Sequence, residues 1–167
     1  DDRAAEAALA ARNPTPQAIA EALAVEKARD VSGRNPGALV IGSDQTLSLE
    51  GHVFHKPADM GEAKSHLAAM SGRTHSLNCG VALVQDGTVL WRHVSVAHLT
   101  MRPLSSDFID RHLARVGTRV LASVGAYQLE GEGVQLFERI EGDYFTILGL
   151  PLLPLLAKLR DLDAIDA

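Results

Sequence analysis

Two long apolar segments lie next to each other in the middle of the chain, where residues 74–101 read THSLNCGVALVQDGTVLWRHVSVAHLTM. Only Asp86-Gly87 separates the segment Thr74–Gln85 from the segment Thr88–Met101. An Asp-Gly pair between apolar segments is the strongest short-range hairpin signal, because both turn residues tolerate a positive φ. The pattern therefore predicts two long antiparallel strands joined by a tight turn.

Helical patterns flank this hairpin on both sides. Thr15 can cap a first helix with Pro16 in its first turn, and Gly33 can end it. Asp59 and Glu62 have the spacing of a capping box for a second helix, which Gly72 would end. The sequence predicts helices at about 16–32, 59–70, 107–116 and 151–162.

Shorter apolar segments supply the remaining strands. Leu39-Val40-Ile41 is expected to form a short buried strand that stops at Gly42, and residues 134–140 are expected to form another. Residues 47–50 and 52–54 should pair around Gly51. The predicted fold class is α/β, a mixed α+β sheet flanked by helices, in a single domain over residues 1–167.

Composition limits the partners that this chain can have. Apolar residues make up 46% and charged residues 22% of the 167 residues, and the formal net charge is -5. An acidic surface argues against binding to nucleic acid but allows a small anionic ligand held by a few cations. No apolar segment approaches the roughly 20 residues needed to cross a bilayer. With one cysteine, Cys79, and no visible signal peptide, a cytoplasmic location is expected.

Four positions are candidates for chemistry, and each has a structural alternative. Lys27 interrupts the apolar stripe of the first helix, so its stem either covers apolar surface or brings an ammonium to a ligand. Asp44 is expected just past the carboxyl end of a buried strand, as a metal ligand, a base or a turn residue. Lys56 precedes Pro57 and either meets a phosphate or is an exposed strand-end lysine. Glu130 lies in a glycine-containing loop, where backbone and ligand can approach closely.

Several short motifs, taken in order, resemble the Maf family of nucleotide pyrophosphatases. They cover nearly the whole chain: Ala24-Val25-Glu26-Lys27-Ala28, Ile41-Gly42-Ser43-Asp44-Gln45, Lys56-Pro57, Leu67 to Gly72, Gly125 to Gly131, Glu141-Gly142-Asp143-Tyr144 and Gly149-Leu150-Pro151-Leu152. The resemblance implies a Maf or inosine-triphosphate-pyrophosphatase-like architecture. It also implies cleavage between the α- and β-phosphates of a nucleoside triphosphate, giving a monophosphate and pyrophosphate.

The resemblance also implies roles for individual residues. Asp44 corresponds to the catalytic acid of the family, acting as a general base or a ligand for Mg²⁺, Mn²⁺ or Co²⁺, and Lys27 and Lys56 correspond to lysines that contact phosphate. Asp2 corresponds to a second metal-binding carboxylate. Three further residues are expected to line the pocket: Ser43, Arg73 and Glu138. The expected partner is a small nucleotide, without nucleic acid or membrane, and the family is compatible with a homodimer.

Base recognition is expected at Gln45 and Glu130. The pyrimidine-acting subgroup of the family has threonine and glutamine at these two positions, so this chain resembles the subgroup that acts on 7-methyl-GTP. A carboxylate suits 7-methylguanine, because the base presents paired N–H donors and a cationic ring. A uracil or thymine edge would instead repel a carboxylate through its carbonyl groups.

One departure from the family pattern leaves alternatives open. Family members begin with a strand and a Ser-x-Ser-Pro-x-Arg loop that binds phosphate, whereas the present sequence begins Asp1-Asp2-Arg3. Either that segment precedes Asp1 in the full protein or the chain is a truncated homologue. The alternatives are therefore a pyrimidine pyrophosphatase of the same family, a weakly catalytic nucleotide-binding regulator linked to septum formation, and a related pyrophosphatase acting on inosine nucleotides.

Overall fold

A computed structural model describes Ala4 and residues 14–167, and its centre is the expected hairpin. Strand β3 (Thr74–Gln85) and strand β4 (Thr88–Met101) are joined by Asp86-Gly87. Both turn residues have positive φ values, 49° and 76°, as the tight turn requires. This central prediction from sequence is confirmed.

Three further strands complete a five-stranded sheet of order β2-β1-β3-β4-β5. β1 covers Leu39–Leu49, β2 covers His52–Phe54 and β5 covers Phe137–Glu141. β1 and β2 pair antiparallel, with Leu49 opposite His52, so the expected small hairpin is confirmed. β4 and β5 also pair antiparallel, with a register shift between Thr100 and Met101.

Two strand boundaries predicted from the sequence are wrong. β1 does not stop at Gly42 but continues to Leu49, because the glycine is accommodated inside the strand beneath a helix. The segment 134–140 is not one strand, since Glu132–Leu136 forms a 3-10 turn before β5 begins at Phe137. Apolar residues at alternate positions of a 3-10 turn had the appearance of strand alternation.

Five α-helices lie in the described part of the chain. They are α1 (Pro16–Ser32), α2 (Met60–Met70), α3 (Ser106–Val116), α4 (Tyr144–Leu148) and α5 (Leu152–Asp161). The Thr15 side chain accepts from the N–H of Ala18, and Asp59 accepts from Glu62, so both predicted caps are present. The sequence did not predict α4 or the 3-10 turns at Gly117–Ala122 and Val124–Ala126. The expected fold class, a sheet with flanking helices, is confirmed.

The described residues form two compact units, and β1, β3 and β4 contribute residues to both. The first unit contains the described residues up to Gln45, Asn78–Val96 and Asp143–Ala167. The second contains Thr46–Leu77 and Ala97–Gly142. The single domain over residues 1–167 remains a prediction. No helix among the described residues has both the length and the apolarity to cross a bilayer.

In the first unit, β3 is buried on both faces. Val81 and Leu83 pack against Leu155 and Leu159 of α5. The alternate residues Ala82 and Val84 face α1. Ala82 clusters with Ala24, and Val84 clusters with Ala28. Because side chains alternate along a strand, one β3 sequence faces a helix on each side of the sheet.

Candidate active site

A close approach of helix α1 to the sheet brings the first two candidate residues together. A Cβ atom on Gly42 would lie 2.3 Å from the carbonyl oxygen of Ala24, and one on Gly80 would lie 2.4 Å from that of Ala20. Both distances are far below van der Waals contact, so these glycines let the helix backbone pack directly on β1 and β3. Residues i and i+2 of a strand share a face, so Asp44 projects on the same side as Gly42.

Lys27 of α1 and Asp44 of β1 form an ion pair in this position. Lys27 Nζ donates to Asp44 Oδ1 over 3.2 Å, and the two side chains are 38% and 19% exposed. The alternative in which the Lys27 ammonium only reaches water is therefore not what the structure shows. The expectation that Asp44 lies past the end of a strand is also wrong, since it lies in the middle of β1.

The two oxygens of Asp44 differ in their surroundings. Oδ1 accepts both from Lys27 and from the backbone N–H of Gln45, the latter over 3.0 Å. Among the described residues, no hydrogen bond is formed to Oδ2. This arrangement fixes the carboxylate through one oxygen and leaves the other available for a water molecule, a proton or a cation.

The neighbours of Asp44 on β1 point to the opposite face and bind α4. Ser43 Oγ lies 2.6 Å from the carbonyl oxygen of Gly149, to which it donates. Gln45 Nε2 donates to the carbonyl oxygens of Thr146 and Ile147, each over 3.1 Å. The Thr146 and Ile147 carbonyls lie in the last turn of α4 and that of Gly149 lies at its C-cap, and Thr146 O also accepts from the N–H of Gly149. Ser43 and Gln45 therefore hold α4 and fix the backbone on both sides of Asp44.

Asp143 contributes to the same region; the sequence placed it in a family motif and offered it as a further acidic group but did not predict its capping role. Its side chain caps α4, accepting from Phe145 N over 2.8 Å and from Thr146 Oγ1 over 2.7 Å. A signal for this short helix was present in the sequence, since an aspartate cap precedes Tyr144 and Gly149 follows Leu148. A helix of five residues is too short for apolar periodicity to reveal it.

Cys79 lies beside this site but is chemically inert. It is fully buried, and burial raises the pKa of its thiol to about 12, with smaller contributions in the same direction from Asp44 and Asp143. The hydrogen bond from Ser43 opposes this shift without cancelling it. A thiol that stays protonated is neither a nucleophile nor a metal ligand, so Cys79 has no part in the chemistry of the site.

The remaining candidates lie in the second unit. Lys56 is exposed directly after β2, and Glu130 is exposed in the turn that precedes the Glu132–Leu136 segment. Arg73 forms an exposed ion pair with Glu50 over 3.5 Å, and Glu138 is exposed on β5. Their roles at the pocket stay predictions. Asp2 lies outside the described residues.

A divalent cation fits the donor chemistry at Asp44. Within the described residues there is no group of three His, Cys, Asp or Glu side chains that could form a complete metal site. Mg²⁺ does not require one, because it is usually bound by one or two carboxylates together with substrate phosphates and water. The available Oδ2 of Asp44 is a hard oxygen ligand of the appropriate kind.

Comparison with known proteins places the chain in a family. Residues 2–162 match the family model described as Maf-like protein. The chain is 66% identical over 166 residues to a "7-methyl-GTP pyrophosphatase" of Rhizobium johnstonii, covering 99% of this chain and 83% of that protein. A protein of the same name from Brucella suis is 60% identical with the same coverage.

A differently named relative shows similar identity over a shorter region. The "Nucleoside triphosphate pyrophosphatase" of Nitrobacter winogradskyi is 61% identical over 142 residues, covering 85% of this chain and 70% of that protein. The family model and these relatives both cover the segments that contain Lys27, Asp44 and Glu130. The chain belongs to the family of Maf-like proteins.

Proposed function

We propose that this chain hydrolyses the bond between the α- and β-phosphates of a modified nucleoside triphosphate, with 7-methyl-GTP as the preferred substrate. The observation that supports this most directly is the Lys27–Asp44 pair, with its 3.2 Å contact and available Oδ2. A fixed carboxylate beside an ammonium is the combination that attack of water on a phosphorus atom needs. The names of the relatives point to the same reaction.

Each side chain has a defined part in this reaction. Asp44 orients a water molecule and takes its proton at Oδ2, while the water oxygen forms a bond to the α-phosphorus. The bond from that phosphorus to the bridging oxygen breaks, and pyrophosphate leaves with the electron pair. Lys27 stabilises the negative charge that develops on the phosphate oxygens, and Lys56 is proposed as a second cation for the same charge.

The proposal includes a divalent cation, namely Mg²⁺, Mn²⁺ or Co²⁺. Asp2 and Asp44 would hold it, and Asp44 acts through Oδ2 either as this ligand or as the base. A bound cation neutralises phosphate charge and polarises the phosphoryl oxygens. The proposed compartment is the cytoplasm, which suits a chain with one cysteine that is buried.

Base preference is proposed to depend on the exposed carboxylate of Glu130. It accepts from N1–H and the exocyclic amine of the guanine ring, and methylation at N7 makes that ring cationic. Gln45 contributes less directly, because its amide nitrogen is engaged with α4 and only its Oε1 atom is available as an acceptor. The expected order of turnover is therefore 7-methyl-GTP, then GTP, then UTP and dTTP.

Pyrophosphate release from this panel of nucleotides, with Mg²⁺ or Mn²⁺, tests the proposal. Asp44→Asn should lower kcat/KM by about a thousandfold or more, since it removes the base and the charge. Asp110→Asn is a matched control, because Asp110 is an exposed, ion-paired aspartate in α3, with a Lys64 contact of 2.8 Å.

The possible results separate the alternatives. Rapid turnover of 7-methyl-GTP that depends on Asp44 supports both the reaction and the base preference. Faster turnover of UTP or dTTP would contradict the assignment of Glu130 and favour the pyrimidine enzyme. Nucleotide binding without turnover of any nucleotide would contradict the hydrolase and favour the regulatory binder.

A further inference from the structure

His112 of α3 is a buried polar side chain with no hydrogen-bonding partner in the described part of the chain. The residue is 1% exposed, and among the described residues neither Nδ1 nor Nε2 forms a hydrogen bond. Burial, and then the nearby charge of Arg115, lower the pKa of His112, so the ring is neutral at pH 7. A neutral imidazole has one donor and one acceptor nitrogen, and burying both unsatisfied is costly.

A small cavity lies against this ring. Its volume is about 30 Å³, and its lining includes His112 and Arg119 together with the loop residues Gln128, Gly131, Glu132 and Gly133. A water molecule needs roughly 10–15 Å³ of such space and two to four polar partners. The cavity therefore has room for about two water molecules and a lining that can bind them.

The far wall of the cavity is the loop that contains Glu130. Gly131 N donates to Gln128 O over 3.2 Å, which closes the loop on itself. A Cβ atom on Gly133 would lie 2.4 Å from the same Gln128 oxygen, so the loop is tightly packed at this point. On its exposed side, Glu132 accepts from Arg115 of α3 over 3.1 Å.

Helix α3 therefore contacts this loop at two levels. Arg115 reaches Glu132 at the surface, and His112, one turn earlier on the same helix, lines the cavity beneath. Glu130 lies between Gln128 and Gly131, at the tip of the segment that both levels support. The ion pair is exposed and contributes little to stability by itself, so the loop depends mainly on its buried contacts, which include Leu129 and the close packing at Gly133.

We propose that ordered water in this cavity joins His112 to the 128–133 loop, so that His112 is a positioning residue for Glu130. The part of this inference that concerns nucleotide affinity rests on the proposed function of Glu130. The part that concerns the loop rests only on the ring, the cavity and the packing of the loop. His112 does not touch the nucleotide and acts only by limiting how far the loop can move.

Hydrogen–deuterium exchange of the backbone amides in residues 128–133 tests the coupling. His112→Leu keeps a side chain of similar size but removes both polar atoms, and exchange should accelerate by about tenfold or more. His112→Gln retains a donor and an acceptor and should stay close to the wild-type rate. Leu113→Met, a change at a buried α3 residue that does not line the cavity, should leave exchange unchanged.

The opposite result is equally clear. If the ring makes no water-mediated contacts, His112→Leu removes the free-energy cost of burying two unsatisfied nitrogen atoms. Amide exchange in the loop then stays at the wild-type rate or becomes slower. That result would overturn the coupling, as would His112→Gln behaving like His112→Leu.

Steady-state kinetics then test the link to the nucleotide. The KM of His112→Leu for 7-methyl-GTP should rise by about fivefold or more while kcat stays within about twofold of the wild-type value. The reason is that the contact of Glu130 with the base is loosened, whereas the groups that take part in the reaction are not displaced. Glu130→Gln is measured in parallel. If Glu130→Gln changes substrate preference but His112→Leu does not raise KM, the role of His112 is overturned. If neither variant has an effect, the base assignment of the proposed function fails as well.

Discussion

Lys27 and Asp44 form a contact for which we propose a larger role in the reaction than in folding. Their side chains are partly exposed, and ion pairs of this kind contribute about 0–1 kcal/mol to the free energy of unfolding. A group that stabilises charge developing in a transition state contributes several times more to the reaction barrier. Stability and activity should therefore respond very differently to the loss of the lysine.

We expect Lys27→Gln to change the free energy of unfolding by less than about 1 kcal/mol but to lower kcat/KM by about a hundredfold. Urea unfolding and pyrophosphate release measure the two quantities. Lys64→Gln is the matched control, since Lys64 is an ion-paired lysine whose side chain is 40% exposed, against 38% for Lys27. This variant should keep both its stability and its activity. Equal loss of activity in both variants would contradict a specific role for Lys27.

His75 is a second residue whose environment has a measurable consequence. It is 1% exposed, its Nε2 lies 2.7 Å from the hydroxyl of Tyr127, and burial lowers the pKa of His75 to about 4. In the unfolded chain the same ring takes up a proton near pH 6.5. Protons therefore bind the unfolded state first, and acid favours unfolding.

We expect the free energy of unfolding to be fully retained above pH 6.5 and to fall as the pH drops towards 4. His75 alone accounts for about 3 kcal/mol of this loss. His75→Gln should flatten the pH dependence by that amount in urea unfolding at pH 7, 5.5 and 4.5. A wild-type slope in His75→Gln would contradict the assignment.

At the scale of the elements, the distance between α1 and the sheet sets the geometry of the site. The helix packs on β1 and β3 through glycines, and this brings Lys27 within 3.2 Å of Asp44. A methyl group added at Gly42 would meet the backbone of Ala24 and the Cβ of Ala28, neither of which can rotate away. The helix as a whole would have to move.

We expect Gly42→Ala to lower the free energy of unfolding by about 3 kcal/mol and to reduce kcat/KM in whatever protein remains folded. Gly33→Ala serves as the control. That glycine has a φ of -61°, and its nearest neighbour would be 3.7 Å from a Cβ, so the change should stay below about 1 kcal/mol. Urea unfolding compares the two variants. Wild-type stability in Gly42→Ala would show that the helix is not held this closely.

The elements also show what the sequence can predict and what it cannot. Local signals were sufficient for the β3–β4 hairpin, the Thr15 and Asp59 caps and the family motifs. They failed at Gly42, because a glycine that ends a strand and one that admits a helix backbone are the same residue locally. The difference depends on Ala24, which lies 18 positions earlier in the chain.

The same limit applies to the candidate site, where local signals identify residues but not the contacts between distant parts of the chain. Lys27 and Asp44 could be named from the motifs, but their ion pair depends on the packing of α1 against β1. The α4 contacts of Ser43 and Gln45 join residues about 100 positions apart. The Asp143 cap is local, but the helix that it caps is too short for apolar periodicity to predict. His112 gave no sequence signal, since its importance comes from a cavity formed by another segment.

At the scale of the whole molecule, the distribution of acidic side chains bears on whether a metal ion binds to the free protein or only together with a nucleotide. The chain has a formal net charge of -5, yet its described residues contain no cluster of three potential metal-binding side chains. An isolated carboxylate binds Mg²⁺ weakly, whereas a triphosphate supplies further oxygen ligands. The cation should therefore bind together with the nucleotide.

We expect Mg²⁺ alone, or EDTA, to leave the Tm of the free protein unchanged. Mg²⁺ with a nonhydrolysable analogue of 7-methyl-GTP should raise the Tm by about 5 °C or more at roughly 100-fold excess over its Kd. Thermal unfolding followed by circular dichroism measures the Tm under both conditions. In Asp44→Asn, the part of the Tm increase that depends on Mg²⁺ should be lost. A Tm increase with Mg²⁺ alone would reveal a preformed ion site.

The alanines of α1 that face the sheet have a wider consequence. Ala20 and Ala24 contribute no functional group, yet the backbone contacts at Gly42 and Gly80 require side chains this small on the helix. In a library that randomises these positions, selection for activity should retain only glycine, alanine and serine, while buried Leu23 should accept other apolar residues. The proposed reaction at Asp44 would thus limit the size of residues that contribute no functional group to it.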